Sequence, residues 1–197
     1  MDYTGKRFSI LGDSISTFKG VTVDDPNTFY GRVMMEKGGF TDVNDTWWMR
    51  VIHALGGVFE RDNAFAGSCV TDGYGLGRGM SSRQRVEALG EPDVILIFGG
   101  ANDEGFGVPP AEFREAYARM LARLRERYPA AEIFCGTLIN GRKVIDSEPY
   151  FMGEEPGKDL EPISGIIRDC AGAAGAQVVD MAASGLVYDA IDGCHPT

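Results

Sequence analysis

Histidine is almost missing from this chain, with two residues, His53 and His195, among 197. Cysteine is scarce as well: Cys69, Cys135, Cys170 and Cys194 are the four present, and no two form a CxxC pair. A zinc site needs several such ligands at short spacing, so no metal is expected. Disulfide scaffolds belong to shorter chains far richer in cysteine, and the four are read as free thiols. Basic residues are in deficit, 19 against 29 acids, for a formal net charge of −10. Nucleic acids and anionic membranes attract clustered Lys and Arg, so neither is an expected partner. No apolar run approaches the length of a bilayer span. The opening MDYTGKRF enters a strand directly, without the layout of a signal peptide. A cytoplasmic protein is the default expectation, a removed leader leaving no trace in such a sequence. The run GYGLGRG lacks both the Lys-Ser/Thr of a P-loop and a complete dinucleotide fingerprint, so no cofactor is expected.

Alternating strands and helices organise what is present. RFSILG, at 7 to 12, reads as a buried strand ending in glycine. Residues 17 to 44 hold no sustained period and read as a long loop or insertion. In NDTWWMRVIHALGG, Trp47, Trp48, Val51, Ile52 and Leu55 recur at helical spacing, Asn44, Asp45 or Thr46 serves as N-cap, and Gly56 closes the helix. A strand is expected near 58 to 64 and a helix near 80 to 89. PDVILIFGG is continuously apolar, as a central parallel strand covered on both faces must be. The clearest helix is PPAEFREAYARMLARLRERYP, with Phe113, Tyr117, Met120, Leu121, Leu124 and Tyr128 in one stripe. A strand at 132 to 139, a polar loop at 140 to 158, a helix at 159 to 174 and a last strand at 176 to 181 complete the chain. With neither repeats nor a splitting linker, it reads as one domain over 1–197, with insertions near 17–44 and 140–158. This is an α/β fold with a mostly parallel five-stranded sheet. Ligands of such sheets sit beyond the carboxyl ends of the strands.

Those strand ends carry the polar residues. GDS follows the first strand, AGS the second and GGAND the third, and DGCHPT lies beyond the fifth. A serine hydroxyl is a weak nucleophile without a base. His53 lies inside the Trp-rich helix and reads as a surface histidine. His195 has Asp192 three residues before it, so a turn can bring the carboxylate to Nδ1–H and leave Nε2 free for a proton. Pro196 restricts His195 to extended backbone. Cys194 is adjacent to His195 and therefore points away from it. An acyl-transfer site also needs donors for an oxyanion. The backbone N–H groups of Ser14 and Gly67 and the side-chain amide of Asn102 are candidates, although a plain turn at Gly67 and an Asx-type loop at Asn102 read the same residues without catalysis.

The ordered set GDSI, AGS, GAND and DGCHP resembles the four blocks of the SGNH hydrolases, or GDSL esterases, across Phe8 to Pro196. The resemblance implies a three-layer α/β/α, flavodoxin-like fold. It implies Ser14 as nucleophile, His195 as base, Asp192 as its orienting acid, and an oxyanion hole of Ser14, Gly67 and Asn102. The expected reaction is hydrolysis of a small-molecule carboxylic ester through an acyl-enzyme, without metal or cofactor. Covering loops rich in Asp, Glu, Gly and Pro favour a short acyl group on a water-soluble carrier such as an acetylated sugar over the long chains of a lipase or thioesterase. The rival readings are an inactive binding protein of the same fold and a flavin or nucleotide binder. Isoleucine stands where relatives carry leucine after the serine. The chain stops two residues after His195, where relatives continue into a helix packed on the sheet. The end bearing Asp192 and His195 is thus expected to be loosely held. An uncovered sheet face is expected to drive self-association into a homo-oligomer.

Overall fold

The computed structural model describes residues 2–23, 28–150 and 159–197. Residues 24–27 of the first expected insertion and 151–158 of the second lie outside the described residues. Five strands, β1 (Arg7–Gly12), β2 (Val58–Ala64), β3 (Val94–Phe98), β4 (Glu132–Gly136) and β6 (Gln177–Val179), form one sheet in the order β2-β1-β3-β4-β6. Every pairing is parallel, with Leu11 beside Ile97 and Ile97 beside Cys135. The order reverses at β1 and β3, the two strands that deliver Ser14 and Asn102. A ligand crevice belongs at such a switch point.

The central strands β1 and β3 are largely apolar on both faces because both are packed. One face, with Leu11, Ile95, Ile97, Ile133 and Cys135, meets α3 (Arg83–Glu87), α5 (Pro110–Arg127) and α6 (Glu161–Ala173). The stripe of α5 supplies Phe113, Tyr117, Met120, Leu121 and Leu124, all fully buried. Alternate residues of the same strands, Phe8, Ile10, Val94 and Leu96, face the other way. They meet Trp48 and Ile52 of α2 (Trp47–Ala54), together with Tyr30. The Thr46 side chain caps α2 by accepting the Met49 N–H. The described residues cover this second face only in part. A cavity of about 430 Å³ opens against it, walled by Phe8, Leu96 and Phe134 of the sheet and by Val51 and Leu55 of α2.

Several boundaries differ from the sequence reading. The aperiodic segment 17 to 44 contains α1 (Arg32–Gly38) and a 3-10 turn at Val43–Asp45. Neither is long enough to display a hydrophobic period. The helix expected near 80 to 89 is reduced to α3, and β4 ends at Gly136 rather than 139. The short α4 (Ala101–Gly105) follows β3.

The end of the chain departs most from expectation. β5 (Gly141–Lys143) and β7 (Tyr188–Ala190) pair in a separate parallel ribbon. Ala190 then bridges Pro196 in antiparallel fashion. The Ile191 N–H donates to the His195 carbonyl at 2.8 Å, the Thr197 N–H to the Asp189 carbonyl at 3.0 Å, and the Gly141 N–H to the Gly193 carbonyl at 2.9 Å. The segment expected to be loose is therefore held by backbone hydrogen bonds on both sides of His195.

Candidate active site

At Gly12 the chain leaves β1 and turns at once into a 3-10 helix, Ser14–Ser16. Asp13 caps this turn, its side chain accepting the Ile15 N–H at 3.1 Å. The two indoles of α2 hold its far end: Trp48 Nε1 donates to the Ser16 carbonyl at 2.9 Å and Trp47 Nε1 to Ser16 Oγ at 3.2 Å. Ser14 thus stands on a braced turn above the sheet, with 5% of its surface exposed.

His195 meets it from the other end of the chain. Ser14 Oγ lies 2.7 Å from His195 Nε2, and His195 Nδ1 lies 2.8 Å from Asp192 Oδ2. The other Asp192 oxygen accepts the N–H groups of Cys194 at 3.1 Å and His195 at 2.9 Å. Burial raises the cost of ionising Asp192. The His195 hydrogen bond and charge, with the two N–H groups, outweigh it and hold the carboxyl below its ordinary range. An ionised Asp192 accepts the Nδ1 proton, which leaves Nε2 as an acceptor for the Ser14 hydroxyl.

The structure brings the other two sequence-chosen residues to each other. Asn102, in α4, donates from Nδ2 to the Ser68 carbonyl at 3.0 Å, against the loop that carries Gly67. Asp103 beside it accepts the N–H groups of Val70 at 2.7 Å and Thr71 at 2.9 Å, fixing that loop further. Gly67 has φ of +76°, and an added Cβ would lie 2.9 Å from Leu76. The GYGLGRG run packs directly on it. Leu76 donates its N–H to the Gly67 carbonyl, and a Cβ on Gly75 would stand 2.5 Å from that oxygen. The glycines of this run allow two loops to pass in contact.

Two acids, Asp13 just past β1 and Asp62 within β2, are buried. Asp13 is pushed up to about 6, chiefly by desolvation, with the Ile15 N–H and the charges of His195 and Arg85 acting against it and that of Asp103 with it. Asp62, at the end of β2, is pushed to about 7 by burial, against hydrogen bonds from Thr22 and the Ala64 N–H. Arg85 was not singled out in the sequence. It lies buried on α3 and donates to the carbonyls of Gly12 at 2.9 Å and Asn63 at 2.7 Å, tying the ends of β1 and β2. Phe29 and Tyr30, in the aperiodic insertion, left no signal at all, yet Phe29 stacks on the His195 ring.

His53, Cys69 and the two tryptophans lie outside the Ser14–His195–Asp192 line of hydrogen bonds. His53 is exposed on α2. Burial pushes the Cys69 thiol up to about 12, which removes it as a nucleophile. Trp48 is core, and Trp47 lines the 430 Å³ cavity. Among the described residues no group of three or more His, Cys, Asp or Glu could hold a metal ion, and no helix is long and apolar enough to cross a membrane.

Comparison with solved structures finds the same fold in other proteins. A GDSL-like lipase-family protein from Bacteroides uniformis ATCC 8492 is 31% identical, with a TM-score of 0.69 over 89% of this chain and 82% of its own. Another from Bacteroides ovatus ATCC 8483 is 26% identical, with a TM-score of 0.70 over 90% and 86%. Est24, a carbohydrate acetylesterase from Sinorhizobium meliloti, shares the fold at 16% identity, with a TM-score of 0.64 over 98% and 91%. No curated protein matches the chain. The model of the GDSL-like lipase/acylhydrolase family matches residues 6–144, a stretch that includes Ser14, Gly67 and Asn102 and stops before Asp192 and His195. With most of its length so matched, and a relative of nearly the same extent at 31% identity, the chain belongs to the GDSL-like lipase/acylhydrolase family and is a serine ester hydrolase.

Proposed function

We propose that the protein hydrolyses a carboxylic ester carrying a short acyl group on a water-soluble carrier, such as an acetylated sugar, through an acyl-enzyme on Ser14. The observation that carries this reading is the unbroken line from Ser14 Oγ through His195 to Asp192, at 2.7 and 2.8 Å. His195 takes the Ser14 proton as Oγ attacks the carbonyl carbon. Asp192 holds the ring in the tautomer that permits this and balances the imidazolium that forms. The carbonyl oxygen becomes an oxyanion, to which the N–H groups of Ser14 and Gly67 and the Asn102 amide donate. His195 then protonates the leaving alcohol. In the second half-reaction it deprotonates water, which attacks the acyl carbon and returns Ser14. No step calls for a metal or cofactor.

The small acyl group is favoured by the confinement of Ser14, of which 5% is exposed, and of His195, of which 1% is exposed. A solved neighbour, Est24, is a carbohydrate acetylesterase, a description that accords with an acetylated sugar here. The test is a series of p-nitrophenyl esters of rising chain length. Acetate and propionate should turn over fastest. Rates rising to octanoate would overturn the short-acyl reading. They would put the chain in the apolar cavity that Ile15 and Pro196, neighbours of Ser14 and His195, help to line.

A further inference from the structure

Phe29 lies flat on the base of the site. Its ring centroid is 3.6 Å from that of His195, and the two planes differ by 10°. Such a stack is not a loose surface contact, because both flanks of the segment are tied to the catalytic residues. The Phe29 N–H donates to Thr17 Oγ1 at 2.8 Å, and that hydroxyl donates to the Ser14 carbonyl at 2.8 Å. The neighbouring Tyr30 donates its hydroxyl to the Pro196 carbonyl at 2.9 Å. Tyr30 also meets Phe29 edge to face, with centroids 5.1 Å apart and planes at 81°. The aromatic pair is thereby locked to the turn of the nucleophile on one side and to the strand of the base on the other.

We propose that Phe29 is a positioning residue that acts through His195, its ring face stabilising the imidazolium formed during attack and fixing the plane of the base. This rests on the reading of His195 as the general base. A neutral imidazole gains only dispersion from a parallel ring. A positively charged one also meets the negative face of the benzene quadrupole. The extra attraction exists only while the proton is on His195, as it is in the transition state and the tetrahedral intermediate. An interaction confined to that interval raises kcat and leaves ground-state binding alone. The site is also dry, since His195 is almost wholly buried, and desolvation strengthens a cation–π contact.

The test compares Phe29→Leu, Phe29→Tyr and Phe29→Trp in the full chain, with p-nitrophenyl acetate as substrate. Leucine keeps an apolar cover and removes the π face. It should lower kcat by roughly 3- to 30-fold, the range of a partly to fully desolvated cation–π contact, with KM little changed. Tyrosine and tryptophan should keep kcat near that of the parent. Should the leucine variant not fold, pentafluorophenylalanine at position 29 keeps the shape and reverses the quadrupole, and it should lower kcat likewise. The proposal is overturned if leucine matches the parent, if its loss falls on KM alone, or if tyrosine loses as much as leucine. An inert parent enzyme, unlabelled at Ser14, would be a different failure: that of the hydrolase reading itself.

Discussion

A carboxyl that must ionise inside a protein makes stability depend on pH, and Asp62 is such a group. Its pKa of about 7 in the fold compares with about 3.9 for an unfolded aspartate. Between those values the unfolded chain has released the proton and the folded chain keeps it. Stability therefore falls as pH rises from about 4 to about 7, and levels off above. Asp13, raised to about 6, acts in the same direction. Asp45, on the surface and lowered to about 2 by the Thr41 and Asp42 hydrogen bonds, acts only below pH 4, where its contribution is lost on acidification. In Asp62→Asn the amide can donate to Thr22 Oγ1, which still donates to the Phe18 carbonyl. The variant should lose less thermal stability than the parent between pH 5 and pH 8. Parallel melting curves over that range, followed by circular dichroism, would remove Asp62 from this role. At this scale the sequence showed the residues that sit beside glycines at strand ends, because turns and nucleophiles need those neighbours. It was silent on Phe29 and Arg85. Each acts on a partner far along the chain, and nothing near either residue encodes that partner.

Elements with a period long enough to count were legible. α5 has eighteen residues and a complete stripe, and β3 is a pure apolar run; both lie where the sequence puts them. The ribbon of β5 and β7 was not, because three residues hold no period and their pairing joins positions 47 apart. Yet this ribbon carries the strand that ends at the Asp192 turn, and it replaces the loose terminus expected from the sequence. Gly141 is its tightest point. A Cβ there would stand 2.5 Å from the Ala190 Cβ and 2.8 Å from the Tyr188 ring. Gly141→Val should push β5 away from β7 and shift the turn of Asp192 and His195. A misplacement near 1 Å costs up to about 100-fold in rate, so kcat should fall roughly 10- to 100-fold. The ribbon lies outside the main sheet, so the melting temperature should move little. Full activity in a variant that folds normally would mean that the ribbon does not position His195.

For the whole molecule, an α/β fold with a parallel sheet followed from the alternation of strands and helices, and the edge proposed to carry the site from the polar residues at the strand ends. What alternation could not show is how well each face is covered. Among the described residues, three helices pack on one face, while α2 with Met35 of α1 packs on the other beside the 430 Å³ cavity, whose lining includes the exposed Leu55, Val179 and Leu186. A second copy laid across this face would bury that apolar surface, and we expect concentration-dependent self-association, read by light scattering. Because hydrogen bonds within the chain already hold His195, activity per site should stay constant on dilution. A monomer at micromolar concentration would end the association. Ser14 is proposed to be an activated nucleophile, and covalent capture is the sharpest test of that role. The protein is incubated with a fluorophosphonate and examined by intact mass and peptide mapping. One adduct per chain is expected, located on Ser14 and absent from Ser14→Ala, with ester hydrolysis lost in step. A folded protein that hydrolyses esters without labelling at Ser14, or a Ser14→Ala variant of undiminished activity, would contradict that role.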